Sequence, residues 1–267
     1  MNQTEQAASV VVGIDGSSSA VHAAEWAVAE AVSRDVPLRL IHVVQSTSPD
    51  IHRELSDAEA ALRAAHAAVT QTGQPVKIET AVVHGPVAAT LVAESVDAAM
   101  ICVGSTGIGH RASKFVGATA TAVADSAPCQ VAIIRTQDDA VGSASGDIAV
   151  VVDDPSDLDV VIQVALNEAH LRNATLLALN VTSSRLHEFA PEELDRRLAE
   201  WLGRHPEVQS RVLMVPNDIP EFLAARDTPV QLMVITGGDT AARLVGPYGR
   251  FVLRDTRCSV LLARPHG

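Results

Sequence analysis

Residues 10–15 read Val-Val-Val-Gly-Ile-Asp, and residues 149–154 read Ala-Val-Val-Val-Asp-Asp. Each is a short, nearly unbroken apolar run ending in a carboxylate. That is the pattern of a strand buried on both faces. With Asp15 set on Asp153, the same offset of 138 carries Glu30 onto Glu168, Ala31 onto Ala169, Arg34 onto Arg172, Leu38 onto Leu176 and Val43 onto Val181. Towards the ends the offset falls to 129, where Cys129 meets Cys258, Val131 meets Val260 and Arg135 meets Arg264. An ordered series over most of each half marks an internal duplication whose second copy is about nine residues shorter. Between the copies, residues 137–146 (Gln-Asp-Asp-Ala-Val-Gly-Ser-Ala-Ser-Gly) are small and polar, as in a linker. The chain is expected to divide near residue 140, into domains at 1–138 and 147–267.

Working outward from the first run, strands are expected at Ser9–Ile14, Pro37–Val44, Val76–Val83, Ala99–Val103 and Gln130–Arg135. Helices are expected between them. One is capped by Ser17, Ser18 or Ser19 and runs to about Arg34, with Trp26 on its apolar face. Others span Ser56–Thr72, stopped by Gly73 and Pro75, then Pro86–Ser95 and Phe115–Ser126. Strict β-α alternation predicts an α/β domain with a five-stranded parallel sheet covered by helices on both faces. The second copy repeats the plan, with strands near 148–152, 174–181, 208–215, 231–235 and 259–263. The fold class is thus two tandem doubly wound domains.

Composition narrows the function. Apolar residues are 47% of the chain but aromatic ones only 3%, so the core must be built from Ala, Val, Leu and Ile. A net charge of −12 argues against a general grip on nucleic acid or an anionic membrane surface. No apolar stretch approaches the about 20 residues a bilayer requires, and the first residues lack the signature of a signal peptide. Cys102, Cys129 and Cys258 show no CxxC spacing and read as reduced thiols. A cytoplasmic location is expected.

In doubly wound sheets ligands sit beyond the carboxyl ends of the strands, where strand order reverses. The longest irregular segment at such an end is Gly104-Ser-Thr-Gly107-Ile-Gly-His-Arg111-Ala-Ser-Lys114, leading into a helix that carries Gly117. Glycines let backbone N–H groups approach a ligand, and a helix start behind them favours anions. Arg111 and Lys114 add positive charge. The segment reads as a phosphate cradle. It is neither a GxxxxGK[ST] loop nor a GxGxxG fingerprint, since the first strand continues Gly13-Ile14-Asp15-Gly16.

The spacing Gly104, two residues, Gly107, nine residues, Gly117 resembles the G-2x-G-9x-G motif of the universal stress protein family. Val10–Ser17 (VVVGIDGS) and Val103-Gly104-Ser105 are similar to that family too. The likeness covers nearly the whole chain as a tandem pair of the actinobacterial type, closely in the first copy and loosely in the second. It implies strand order 3-2-1-4-5, as in the adenine nucleotide alpha hydrolase-like fold, and an ATP-binding module. By similarity, Gly13 and Asp15 would line the adenosine part, and the main chain at Val43 and Val44 would meet adenine. Gly104, Gly107, Lys114, Gly117, Ala118 and Thr119 would hold ribose and phosphates. Asp15 is also positioned to help hold Mg²⁺ on a triphosphate. The family motif usually continues Gly-Ser or Gly-Thr; here Ala118 follows Gly117, which removes a hydroxyl and predicts weakened binding. The resemblance also implies pairing through the last strands, as an internal pseudo-dimer or a homodimer.

The second copy departs from the motif. Gly246 falls on Gly117, but the gap from Gly237 is nine positions rather than thirteen, Pro247 lacks an N–H, and Asp239 adds negative charge. Asp154 stands at the Gly16 position and Pro155 follows. Nucleotide is therefore expected in the first domain only. No GxSxG or HExxH constellation occurs. A binding and regulatory role is favoured over a slow ATPase or a nucleotide-free, chaperone-like role. His42, His84 and His110 lack ligand spacing and predict no metal site.

Overall fold

The computed structural model describes residues 8–45, 50–107, 116–135, 146–152, 158–181, 191–215, 219–226, 228–236 and 258–264. The chain forms two compact units, Met1–Thr136 and Gln137–Gly267. The linker read at 137–146 lies outside the described residues except for Gly146.

Unit 1 carries five parallel strands: β1 (Ser9–Gly13), β2 (Leu38–Val44), β3 (Ile78–His84), β4 (Ala98–Gly104) and β5 (Gln130–Ile134). Their order is β3-β2-β1-β4-β5. Val10, Val11 and Val12 of β1 and Met100, Ile101 and Cys102 of β4 are fully buried, which is why these runs lack polar alternation. The helices are α1 (Ser18–Arg34), α2 (Ile51–Gln71), α3 (Val87–Glu94) and α4 (Ala118–Ser126). On α1, Ala20, Ala23, Ala24, Ala27, Val28 and Ala31 recur at helical spacing and are buried. Their small side chains let the helix lie close on the sheet. The Ser17 side chain caps α1 by accepting from the Ala20 N–H, and Asp35, left-handed at φ 54°, ends it.

Unit 2 repeats the plan with β6 (Asp147–Val152), β7 (Leu176–Val181), β8 (Ser210–Val215), β9 (Val230–Ile235) and β10 (Ser259–Leu262). Its order is β8-β7-β6-β9-β10, again parallel. The helices are α5 (Leu158–Leu171), α6 (Pro191–Leu202) and α7 (Ile219–Ala224). Register confirms the offset of 138: Gly13 pairs with Ile41, and Val151 with Leu179.

One buried polar feature recurs in both units. Glu30 is fully buried and pairs with Arg34, which also donates to Gln130 Oε1 at 3.3 Å. Glu168, also buried, pairs with Arg172 at 2.8 Å. A buried carboxylate is retained only with a cation beside it.

Two helix starts differ from expectation. Helix α2 begins at Ile51, not Ser56, directly after Asp50. Helix α4 begins at Ala118, not Phe115: Val116 lies outside it, and Gly117 is an extended N-cap (ψ 155°). Among the described residues no helix is long and apolar enough to cross a membrane.

Candidate functional site

Because β2 lies on one side of β1 and β4 on the other, the chains leaving β1 and β4 part at the carboxyl edge and leave a crevice. A cleft of about 570 Å³, its open mouth included, lies there. The enclosed part is about 130 Å³, smaller than the span usual for a whole small-molecule site, about 300–1,000 Å³, so a ligand there would lie partly in the open mouth. Asp15 and Ser17 border it after β1, and His42 and Val43 on β2. Val87 and Leu91 come from α3, Thr106 and Gly107 follow β4, and Thr119 and Ala120 open α4.

The turn after β1 fixes Asp15. Gly16 has φ 88°, a left-handed conformation suited to glycine. The Ser17 N–H donates to Asp15 Oδ1 at 2.9 Å. The other carboxylate oxygen faces Gly107, where an added Cβ would stand 3.1 Å from Oδ2. The loop after β4 is fastened to the start of α1. Ser19 Oγ donates to the Thr106 carbonyl, Ser17 Oγ donates to the same carbonyl at 3.3 Å, and Thr106 Oγ1 donates to Ser19 Oγ at 3.4 Å.

The three motif glycines meet different demands. At Gly104 a Cβ would lie 2.8 Å from the Ala20 nitrogen and the Ser19 carbonyl carbon, and 2.5 Å from Ser19 Oγ. The backbone of α1 occupies that space, so helix-on-strand packing alone requires glycine there. Gly117 is the opposite case. Its N–H donates to the Ser105 carbonyl at 2.8 Å, and the nearest described atom to an added Cβ is that oxygen, at 3.7 Å. With φ −67°, the described structure asks for no glycine at 117. Gly107 is intermediate, limited by Asp15. At Gly13 a Cβ would press on Leu91 at 3.2 Å and Val103 at 3.5 Å, both walls of the cleft.

At α4, the N–H groups of Ala118, Thr119 and Ala120 have no acceptor among the described residues, and Gly117 has no side chain to cap them. Unpaired amides at a helix start beside a cleft suit an anion. This donor set, with the room at Gly117, fits the phosphates of a nucleotide. Among the described residues no group of three or more His, Cys, Asp and Glu side chains is arranged to hold a metal ion.

Of the residues expected from sequence, Gly13, Asp15, Val43, Gly104, Gly107 and Thr119 line the cleft. Val44 does not: it is 2% exposed and belongs to the core. Its side chain points to the face opposite Val43; the contact expected at Val44 is one of main chain, on which that side-chain direction does not bear. Ala118 is exposed in the first turn of α4 and Gly117 forms its N-cap; neither borders the cleft. Lys114, with Arg111 and His110, lies outside the described residues. The sequence reading missed Val87 and Leu91, although their i, i+4 spacing behind Pro86 marks one helix face. His42, expected from sequence only as a histidine without ligand spacing, is a wall of the cleft. Burial pushes the His42 imidazole below its ordinary range, opposed by the charges of Asp15, Asp57 and Glu54.

In unit 2, Val151 stands at the register of Gly13 and is 1% exposed. Thr236, buried, is the residue one step beyond β9, where Gly104 ends β4. Residues 153–157 and 237–257, which carry the remainder of the corresponding region, lie outside the described residues.

Residues 8–135 match the universal stress protein family. The universal stress protein Rv2624c of Mycobacterium tuberculosis is 46% identical over 260 residues, covering 96% of each chain. Another from that organism, Rv2028c, is 36% identical and covers 98% of each. Among solved structures, a universal stress protein from Archaeoglobus fulgidus aligns over 98% of both chains with TM-score 0.71 at 18% identity, a likeness of fold.

Proposed function

Because the chain belongs to the universal stress protein family, we propose that unit 1 binds an adenine nucleotide, ATP by preference, and that occupancy makes the chain a regulatory module of the stress response. The observation that carries this reading is the set of N–H groups at Ala118, Thr119 and Ala120 with no acceptor among the described residues, the last two on the wall of the cleft that Asp15 and Gly107 border. Phosphate oxygens satisfy such donors, and the helix end favours their charge. Glycine at 117, which the described structure does not require, leaves a ligand room to approach. Thr119, on the wall of the cleft, carries a hydroxyl one residue beyond the position that Ala118 leaves bare. Asp15 contributes one carboxylate toward Mg²⁺ carried on the phosphates, the ordinary way this ion is held.

Unit 2 is proposed to remain empty. Val151 fills the position that Gly13 leaves open in unit 1.

The test is mass spectrometry of small molecules released from purified protein, followed by calorimetric titration of the nucleotide-stripped chain with ATP and Mg²⁺. Co-purified adenine nucleotide or saturable ATP binding supports the proposal. Neither, in folded protein, refutes it.

A further inference from the structure

The His42 side chain makes no hydrogen bond or ion pair with a described residue. It stands two residues from the end of β2 and borders the cleft, yet its Nδ1 is buried and has no hydrogen-bond partner among the described residues. The second ring nitrogen, Nε2, is not among the buried unpartnered atoms and makes no hydrogen bond to a described residue. It is therefore the ring nitrogen that reaches solvent. A proton on Nδ1 would be a buried donor with no acceptor, so the neutral ring carries its proton on Nε2. A second proton would charge a partly buried ring; Asp15, Glu54 and Asp57 act against that cost but do not overcome it.

Resting on the nucleotide reading of the cleft, we propose that His42 is a neutral hydrogen-bond donor whose Nε2–H recognises an acceptor on the nucleoside half of the ligand. Position selects the nucleoside half. The unpaired amides suited to phosphate belong to α4, which follows β4, and β1 lies between β4 and β2. At about 4.8 Å per strand, His42 is about 10 Å to the side of β4. With the phosphates at α4, the ligand atoms over β2 are those of base or ribose. A donor there reads an acceptor without regard to the ligand's charge, so His42 sets selectivity for the nucleoside.

Two measurements test this. In ligand-free protein, ¹⁵N chemical shifts of the His42 ring should report a protonated Nε2 and a bare Nδ1, titrating below pH 6.5. Adenosine and ATP are then titrated calorimetrically into wild type, His42→Phe and His42→Gln at pH 7 and 8. Phenylalanine fills similar space without a donor, while the glutamine amide restores one. His42→Phe should weaken adenosine and ATP by the same factor, on the order of tenfold. His42→Gln should stay within about threefold of wild type, and wild-type affinity should not change between pH 7 and 8. A protonated Nδ1, or His42→Phe binding both ligands as wild type does, overturns the inference. A loss confined to ATP overturns it in favour of a phosphate contact. Wild-type protein that binds neither ligand overturns the nucleotide reading and this inference together.

Discussion

In unit 1 the first strand reaches its carboxyl edge on Gly13; in unit 2 the same register position holds Val151, packed to 1% exposure. At the end of the fourth strand, Gly104 leaves room for the backbone of α1, while the residue beyond β9 is Thr236. Away from that edge the units agree. Both keep the 3-2-1-4-5 plan, and both keep a buried glutamate paired one turn later with an arginine, Glu30–Arg34 and Glu168–Arg172. The two copies share the sheet order and the buried ion pair and differ at the carboxyl edge, where the proposed site of unit 1 lies. On that proposal, most residues that make the fold are separable from those that make the site.

Four substitutions test that separation, taken from largest effect to smallest. Gly104→Thr, which brings the unit 2 residue type into unit 1, must displace the first turn of α1. It should cost unit 1 about 3 kcal/mol. Trp26 of α1 and Trp201 of α6 allow the halves to be followed separately in urea, using single-tryptophan variants. The Trp26 transition should move to lower urea and the Trp201 transition should stay. Equal shifts in both, or none, would break the comparison.

Gly13→Val copies Val151 into unit 1. Its first carbon needs only a small shift of the Leu91 side chain, so unit 1 should stay folded. ATP affinity should fall on the order of 100-fold, about 2.7 kcal/mol, as read by calorimetry. Retained affinity would mean that Val151 is not what closes unit 2.

Gly117→Ala adds a methyl group that the described structure can accommodate. Glycine caps a helix better than alanine, so melting temperature should fall by no more than about a few degrees, while ATP affinity drops about tenfold. A fall in stability with unchanged affinity would make this glycine structural, like Gly104. Ala118→Ser restores the hydroxyl that the motif usually carries, and should tighten ATP binding by up to about tenfold, the worth of one neutral hydrogen bond. No gain would mean that Thr119 already fills that role.

The parallel sheet was legible because β1, β4 and β5 are continuous apolar runs separated by helical spacing, and because the offset of 138 repeats them. The cleft was legible in outline, since doubly wound sheets open where strand order reverses. The roles of the glycines were not. Gly104 and Gly117 belong to one sequence motif, yet one is enforced by a helix backbone at 2.8 Å and the other has no described neighbour closer than 3.7 Å. Spacing cannot separate a glycine needed for packing from one needed for approach, because both appear as a missing side chain. Val151 was visible once the offset of 138 sets VVVGID (10–15) against IAVVVD (148–153), but its consequence required knowing that Gly13 borders the cleft beside Leu91.

Binding stoichiometry addresses the difference between the units most directly. Titrating nucleotide-stripped protein with ATP and Mg²⁺ should give one site per chain, and Gly13→Val should weaken that site on the order of 100-fold. Two sites per chain, or a single site indifferent to Gly13→Val, would contradict the account.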